Sequence, residues 1–563
     1  MTQPALTIPR NDTRILMYSL AAASFIVSAI FGILSAPDGL LQFDDLTHYL
    51  FARWAWTWPA YLLDDWGRPG FTALYFLPAG IGWTACRLLS ALLSAASALL
   101  ASRIAERLSI RHAWAVIPLV FAQPLYFQLS QTTLTETAMA FYLVLAVYLA
   151  TKKRWTASSA VLSLAFVTRH EGIIFLPVWL YFARCQQVPI RRLWPLLWAP
   201  LVVNVLSPIL DLRPPITLFF DPARQGQYGR GGWLTYFCRA LEAWGPGITL
   251  LAMCGLTSLW QRLTTATPAA KSDATISPDL KKQQSTGRLS NPSMPGGRLV
   301  VACIGIYFIA QTVVRALGLY DSGGYARFLV PISPLIGIAA LAGWQRMVAR
   351  DTKVRGVALM TAAASMFILW IAMERQLLLH EARTDDAGAV PDLYAAKLAV
   401  RTATAVVVVL ALTAAWAARI GRTGNIARYG LVSMVTILIV LAVYALCHPL
   451  RPPPEAPLVD EARRQLAAMG FDDREIISAV VWIDYVTQRS FPPQREKVRR
   501  ELELAPVGTL FAWEQQFAGS LDHGLALEEF TQSPSFRLVL QSPPLPGRST
   551  PYLHIFEKIG PWP

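Results

Sequence analysis

Two adjacent carboxylates, Asp44 and Asp45, directly follow the first apolar segment of the chain. That segment, residues 15–36, is long enough to cross a bilayer, which takes about 20 residues in a helix. Carboxylates at the edge of a hydrocarbon layer are costly unless they face water, a partner or a substrate. His48 follows the acidic pair closely, and in a helix it would lie one turn away from it. We therefore expect the chemistry of this protein at the acidic pair.

Further polar residues recur at the edges of later apolar segments. They are Arg68, Glu136, the run Arg169, His170 and Glu171, and finally Tyr325 and Arg327. Each has a plain alternative: an arginine at a helix end can anchor itself at the headgroups, and an acid in a first helical turn is favoured by the helix dipole. Their recurrence on one side of the membrane nevertheless predicts a site that handles a charged lipid headgroup.

The composition indicates a membrane protein. Of 563 residues, 54% are hydrophobic and only 15% are charged, whereas soluble domains carry about 25% charged residues. The net charge of +14 falls mainly in short loops, which argues against nucleic acid as a partner. The six cysteines show no CxxC spacing and are typical of small buried residues.

Apolar runs predict about thirteen membrane-spanning helices by the length rule. They lie near residues 15–36, 80–101, 113–130, 135–151, 155–169, 171–184, 193–211, 235–260, 299–319, 327–348, 355–379, 398–419 and 427–448. Lys and Arg concentrate in alternate loops, for example at Arg103, Lys152, Arg184 and Arg346. The positive-inside rule makes these loops cytoplasmic, so we expect the N-terminus inside and the C-terminal region outside.

The chain divides into two predicted domains. Residues 1–448 form a transmembrane domain with a first outer loop at 37–79 and a disordered cytoplasmic loop at 262–298, which is rich in Ser, Thr, Pro and Lys. Residues 449–563 have ordinary globular composition and predict an extracytoplasmic α/β or α+β domain. Within it we expect a helix at Asp460–Met469 and strands at Ile476–Ile483, Gly508–Trp513 and Tyr552–Phe556.

The layout resembles the GT-C membrane glycosyltransferases, a superfamily that includes the protein O-mannosyltransferases and the bacterial aminoarabinose-lipid A transferases. The resemblance rests on Asp44-Asp45, Gly67-Arg68-Pro69-Gly70, Thr135-Glu136-Thr137, Arg169-His170-Glu171-Gly172 and the stretch from Tyr325-Ala326-Arg327-Phe328 to Pro334. The chain departs from the family near its late arginine, where Gly324 and Phe328 replace the familiar acidic residue and tyrosine.

The resemblance implies transfer of a sugar from a polyprenyl-phosphate donor, with inversion, to an extracytoplasmic glycan, lipid or protein. Asp44 or Asp45 would be the general base. The implied substrate-binding residues are Arg68, Arg169 and Arg327 for the phosphate, Glu136, His170 and Glu171 for the sugar, and His48 and Tyr325 beside them. The donor carries the energy of the reaction, so no nucleotide is needed; no metal ligand is assigned, although some relatives use a divalent metal.

Two other functions stay open on the sequence. A transporter or flippase of lipid-linked or anionic solutes would also need many spans with charges at their edges, and a structural protein could recruit a partner through its C-terminal domain. The sequon at Asn11-Asp12-Thr13 lies on the predicted cytoplasmic side, and no cysteine follows Cys447. These features favour a bacterial inner membrane as the location.

Overall fold

A computed structural model describes most of the chain. The described residues are 10–35, 39–220, 230–261, 296–319, 323–348, 352–376, 390–419, 449–471, 473–490, 498–514, 518–519, 524–545 and 549–562. The predicted span at 427–448 lies outside them, as does most of the predicted disordered loop. The end of that loop was placed wrongly, because residues 296–298 already belong to a helix.

Helices dominate the first 419 residues. They are α1 (Arg10–Leu34), α2 (Phe43–Trp54), α3 (Pro69–Ile81), α4 (Trp83–Arg107), α5 (Val116–Phe121), α6 (Pro124–Leu129), α7 (Thr135–Thr151), α8 (Trp155–Thr168), α9 (Leu176–Cys185), α10 (Trp198–Ile209), α11 (Thr235–Ala243), α12 (Pro246–Gln261), α13 (Gly296–Leu317), α14 (Ser333–Val348), α15 (Thr352–Gln376) and α16 (Val390–Arg419). Short 3-10 segments join them, including His170–Phe175 and Ala326–Ile332.

Five stretches of the described residues are long and apolar enough to cross a membrane. They are Asp12–Leu34, Trp83–Arg107, Gly296–Leu317, Ala326–Met347 and Leu398–Trp416. Other predicted spans are shorter or broken. The span expected at 113–130 divides into α5 and α6, since Pro124 cannot continue a helix. The span expected at 235–260 divides at Gly245, whose positive φ of 76° ends α11.

The first outer loop is mostly helical. It holds α2, a 3-10 turn at Pro59–Leu62, and α3. Helix α2 begins at Phe43, so the acidic pair lies in its first turn. Pro69 begins α3, as proline readily does at the first helical position.

Close packing between two helices fixes the position of the 3-10 segment Ala326–Ile332. Helices α12 and α14 cross at two glycines: a Cβ added at Gly255 would lie 1.8 Å from the carbonyl oxygen of Ala339, and one added at Gly343 would lie 1.8 Å from that of Leu251. Only glycine allows backbones this close, which is a common way for membrane helices to pack. Helix α14 therefore has a fixed position, and the 3-10 segment Ala326–Ile332 precedes it directly.

The C-terminal residues contain helices and a four-stranded sheet. The elements are α17 (Ala456–Ala468), β1 (Ile476–Ser478), α18 (Val481–Val486), α19 (Val498–Leu504), β2 (Leu510–Glu514), α20 (Leu527–Thr531), β3 (Phe536–Gln541) and β4 (Leu553–Lys558). The strand order is β1-β2-β4-β3, with β1 parallel to β2 and the other pairs antiparallel.

The strand predicted at Ile476–Ile483 was too long. The side-chain oxygen of Ser478 accepts a hydrogen bond from the backbone N–H of Val480 at 2.8 Å, which turns the chain out of β1 and into α18. Local hydrogen bonds of this kind compete with a strand ladder. Strand β3 was not anticipated.

Candidate active site

Charged residues from five parts of the chain meet at the beginnings of helices. Asp44 lies in the first turn of α2, Arg68 precedes α3, Glu136 lies in the first turn of α7, Arg169 precedes a 3-10 helix, and Arg327 lies in the 3-10 segment before α14. The helix dipole favours acids at these positions and disfavours cations. The three arginines are therefore placed against the local preference, as expected for a site that receives an anion.

An alternating row of charges links four of these residues to Glu171. Arg327 Nη2 lies 2.5 Å from Asp44 Oδ2, and Arg327 Nε lies 3.6 Å from Glu136 Oε1. The same Glu136 oxygen is 2.7 Å from Arg169 Nη1, and Arg169 Nη2 lies 2.6 Å from Glu171 Oε1. Two arginines thus share one central carboxylate and each has a second acid at its outer side.

The burial of this row differs from its centre to its ends. Glu136 has no exposed side-chain surface, whereas Asp44 is 37% exposed and Glu171 is 28% exposed. The central glutamate therefore holds the arginines in place, and the outer acids face the space where a substrate could enter. Hydrogen bonds to ionised partners of this kind are among the stronger ones in proteins.

Aromatic rings cover the two central arginines. The Phe328 ring centre lies 4.7 Å from the guanidinium carbon of Arg169 and 5.4 Å from that of Arg327. The Tyr325 ring lies 5.2 Å from the guanidinium of Arg327. Ring faces attract cations, so Phe328 holds both guanidinium groups in a common orientation. The phenylalanine that departs from the family pattern thus has a clear contact role.

Arg68 approaches the same site from a strained backbone. Its φ of 62° and ψ of 92° are unusual for a residue with a side chain. Its Nη1 lies 2.6 Å from Nε2 of His170. The preceding turn is shaped by Asp64, whose Oδ1 accepts hydrogen bonds from the backbone N–H groups of Trp66 and Gly67 at 2.9 and 2.8 Å. Such strain typically persists where function requires it.

Asp64, which was not among the residues singled out from the sequence, shapes the turn before Arg68. Burial, followed by the neighbouring charge of Asp65, raises the pKa of Asp64 to about 6. An acid followed three residues later by a glycine is a known signal for this type of turn. The pattern could therefore have identified Asp64 as a residue that sets the position of Arg68.

His48 is buried beneath the arginines. Burial, together with the positive charges of Arg68, Arg327 and Arg169, lowers its pKa to about 3, although Asp44 works in the opposite direction. Its Nδ1 has no hydrogen-bond partner among the residues that the structure describes. His48 is therefore neutral at physiological pH.

The two adjacent aspartates point into different surroundings. Asp45 is fully buried and accepts a hydrogen bond from the backbone N–H of Thr133 at 2.5 Å, and a second from the Thr133 hydroxyl. Burial raises the pKa of Asp45, whereas the charge of Arg87 lowers it in part. Asp45 thus bonds Thr133, just before α7, and is not one of the ion-paired residues of the charged row. All the other residues singled out from the sequence come together around Arg169 and Arg327.

The donor set does not suit a divalent metal. Within the described ranges, no group of three or more His, Cys, Asp or Glu side chains is close enough to hold a metal ion. Asp44, Glu136 and Glu171 are each already paired with an arginine. A metal site generally needs several oxygen or nitrogen ligands free to coordinate, and the described acids of this site are already occupied by arginines.

Two solved structures match nearly the whole chain. Crystal structures of ArnT from Cupriavidus metallidurans, bound to undecaprenyl phosphate and in the apo state, give TM-scores of 0.54 and 0.53 at 12% sequence identity. The matches cover 98% and 97% of this chain, and 100% and 99% of the ArnT chains. The chain therefore shares the fold of ArnT.

The sequence resemblance to the GT-C proteins is therefore confirmed at the level of the fold. No protein-family model and no curated protein matches the chain. The GT-C likeness includes the helical region that carries the charged row, because it covers almost the full length. At this low identity the fold alone is shared, so the roles of individual residues rest on their geometry.

Proposed function

We propose that the protein is a membrane glycosyltransferase that moves a sugar from a polyprenyl-phosphate donor to an acceptor hydroxyl group. The observation that carries this proposal is the convergence of Arg68, Arg169 and Arg327 beside the half-exposed carboxylate of Asp44. The similar ArnT structure was obtained with undecaprenyl phosphate bound. A phosphate-lipid carrier also fits a cationic site at the ends of apolar helices.

The arginines bind the donor phosphate in this proposal. A guanidinium group matches a phosphate in planar, paired hydrogen bonds. Arg169 and Arg327 are oriented by Glu136 and Phe328, and Arg68 completes the set from the other side. Glu171, His170 and Tyr325 lie around the sugar, and the neutral His48 accepts a hydrogen bond from a sugar hydroxyl group. Glu136, predicted from the sequence to line the sugar pocket, has no exposed surface and instead holds the arginines.

Asp44 acts as the general base. Its carboxylate removes the proton of the acceptor hydroxyl as the acceptor oxygen bonds to the anomeric carbon. The bond from that carbon to the phosphate oxygen breaks, and the polyprenyl phosphate leaves with the electron pair, held by the arginines. Attack from the side opposite the phosphate inverts the anomeric centre. A positioned base typically contributes about 10²–10⁴-fold to the rate.

The location of the charged groups favours transfer over transport. A transporter binds its solute near the bilayer midplane, usually at interrupted helices. Here the charged row lies at helix beginnings that follow loops or 3-10 segments. The alternative, a transporter or flippase, would be supported if the protein moved a lipid-linked sugar across the membrane without transferring or hydrolysing it.

We also propose that the site and residues 449–563 face the extracytoplasmic side of a bacterial inner membrane. The support is the excess of Lys and Arg in the opposite loops. Single cysteines placed at Asp473 and at Lys152 test this orientation, because both positions are exposed. A membrane-impermeant maleimide should label the first in intact cells and the second only after lysis; the reverse pattern would contradict the topology.

The decisive experiment measures transfer in membranes supplied with a radiolabelled polyprenyl-phosphate sugar. Asp44→Asn should lower the rate by about 10²–10⁴-fold, and Asp473→Asn, a matched change at an exposed aspartate, should leave it unchanged. Asp45→Asn should have a smaller effect, because an amide oxygen can still accept the Thr133 hydrogen bond. Full activity in Asp44→Asn would exclude Asp44 as the base.

A further inference from the structure

The helix that carries Asp44 is in contact with the C-terminal part of the chain. Tyr49, in the middle of α2, stacks on Trp83 with ring centres 5.5 Å apart. Tyr485, in α18, packs edge-on against both rings, at 6.3 Å from Tyr49 and 5.5 Å from Trp83. A residue from near the sheet therefore fills the space between α2 and α4.

A second contact fastens the last turn of α2. The indole N–H of Trp54 donates a hydrogen bond of 2.8 Å to the carbonyl oxygen of Arg489, and Trp54 is buried. Arg489 Nη1 in turn donates to the carbonyl oxygen of Ile476, in β1, at 2.5 Å. The segment 481–489 is thus tied to the sheet at one end and to α2 at the other.

The cluster of Tyr49, Trp83 and Tyr485 is also connected to the first turn of α2, through Trp83. The indole N–H of Trp83 donates to the Thr133 hydroxyl at 3.0 Å, and Thr133 holds Asp45. In a helix, successive side chains are separated by a fixed rotation. The contacts of Asp45, Tyr49 and Trp54 therefore set the direction in which Asp44 points.

We propose that segment 481–489 positions the general base, with Tyr485 as the principal positioning residue. The expected change in kcat rests on the proposed function, because it requires that Asp44 is the general base. The phosphate-binding arginines lie outside α2, and Arg169 is held by Glu136 and Glu171, which also lie outside it. Loosening α2 should therefore reduce kcat by a larger factor than it raises the KM for the donor. A misplacement of about 1 Å can cost up to roughly 100-fold in rate.

The test compares three variants of the full-length protein in detergent or nanodiscs. Tyr485→Ala removes the ring, Tyr485→Phe keeps it, and Phe536→Ala truncates a more deeply buried aromatic residue in a separate core cluster with Phe530 and Trp562. Hydrogen exchange of residues 43–54 is measured together with kcat and donor KM. Tyr485→Ala should accelerate exchange in this helix and lower kcat by about 10–100-fold, whereas the other two variants should resemble the wild type.

The two readouts separate the two proposals. If the wild-type protein transfers no sugar, the proposed function fails, and hydrogen exchange still tests the contact between Tyr485 and α2. Unchanged exchange in Tyr485→Ala would overturn the positioning role. An equal loss of kcat in Phe536→Ala would also overturn it, since general destabilisation of the C-terminal residues would then explain the effect.

Discussion

Arg327 and Asp44 are 283 residues apart in the chain, yet Arg327 Nη2 lies 2.5 Å from Asp44 Oδ2. Burial is the largest influence and works to raise the pKa of Asp44, but the charge and hydrogen bond of Arg327, together with the influence of His48 and Arg169, hold this pKa below its ordinary value. A carboxylate held in this way is a weak base. A donor phosphate that binds Arg327 would offset the positive charge and strengthen Asp44 as a base when the substrate is present.

The two adjacent aspartates should have different roles, with Asp44 needed for activity and Asp45 for stability. Asp44→Asn should abolish most of the activity with little change in thermal stability. Asp45→Ala should lower the free energy of unfolding by about 1–3 kcal/mol, because the buried N–H of Thr133 loses its acceptor. Activity assays and thermal unfolding in detergent measure both effects. Equal stability loss in the two variants would contradict the assignment.

The strained backbone at Arg68 gives an unusual prediction. Both Arg68→Gly and Arg68→Ala remove the guanidinium group and should weaken donor binding. Only glycine accommodates the positive φ without strain, and strain of this kind is worth about 1–3 kcal/mol. Arg68→Gly should therefore unfold at a higher temperature than Arg68→Ala. A lower melting temperature for the glycine variant would show that the backbone is not strained here.

The positions of the site residues were largely predictable from the sequence. Glu136, Arg169 and Arg327 each follow a break in the apolar pattern, and polar residues at such breaks must lie near a membrane edge. The early helix was also foreseeable, because Asp44 and Asp45 suit a first turn. These inferences need only local information.

The partners of the site residues were not predictable. The pairing of Arg327 with Asp44 depends on how α2 meets α14, and the sequence carries no local signal for that contact. The different directions of Asp44 and Asp45 depend in the same way on Thr133, which lies 88 residues further along the chain. The predicted span at 235–260 failed for a related reason. Hydropathy is averaged over many residues, so it does not detect the single turn that the positive φ of Gly245 creates.

His48 should make the protein sensitive to acid. Its folded-state pKa of about 3 lies below the unfolded value of about 6.5, so the unfolded chain takes up the proton first as the pH falls. The contribution of His48 to the free energy of unfolding is therefore constant above about pH 6.5, and it decreases as the pH falls from about 6.5 toward 3. At pH 5 the loss from this residue is about 2 kcal/mol.

His48→Gln removes this titrating group. The variant should lose less stability than the wild type between pH 7 and pH 5, measured as the change in melting temperature. His112→Gln is the matched control, because His112 is exposed. An identical pH dependence for His48→Gln and the wild type would contradict a buried neutral histidine.

Glu136 should stabilise the folded protein but weaken the binding of an anion to the arginines. Removing one partner of a buried ion pair typically costs about 3–5 kcal/mol, so Glu136→Gln should lower the melting temperature strongly. Glu171→Gln, at a partly exposed position, should cost at most about 1 kcal/mol.

Glu136→Gln should also strengthen anion binding. In this variant Arg169 and Arg327 lose their shared negative charge, so a phosphate should bind them more tightly. Added inorganic phosphate should then raise the melting temperature of Glu136→Gln more than that of the wild type. A smaller phosphate effect in this variant would show that the arginines do not form the anion site.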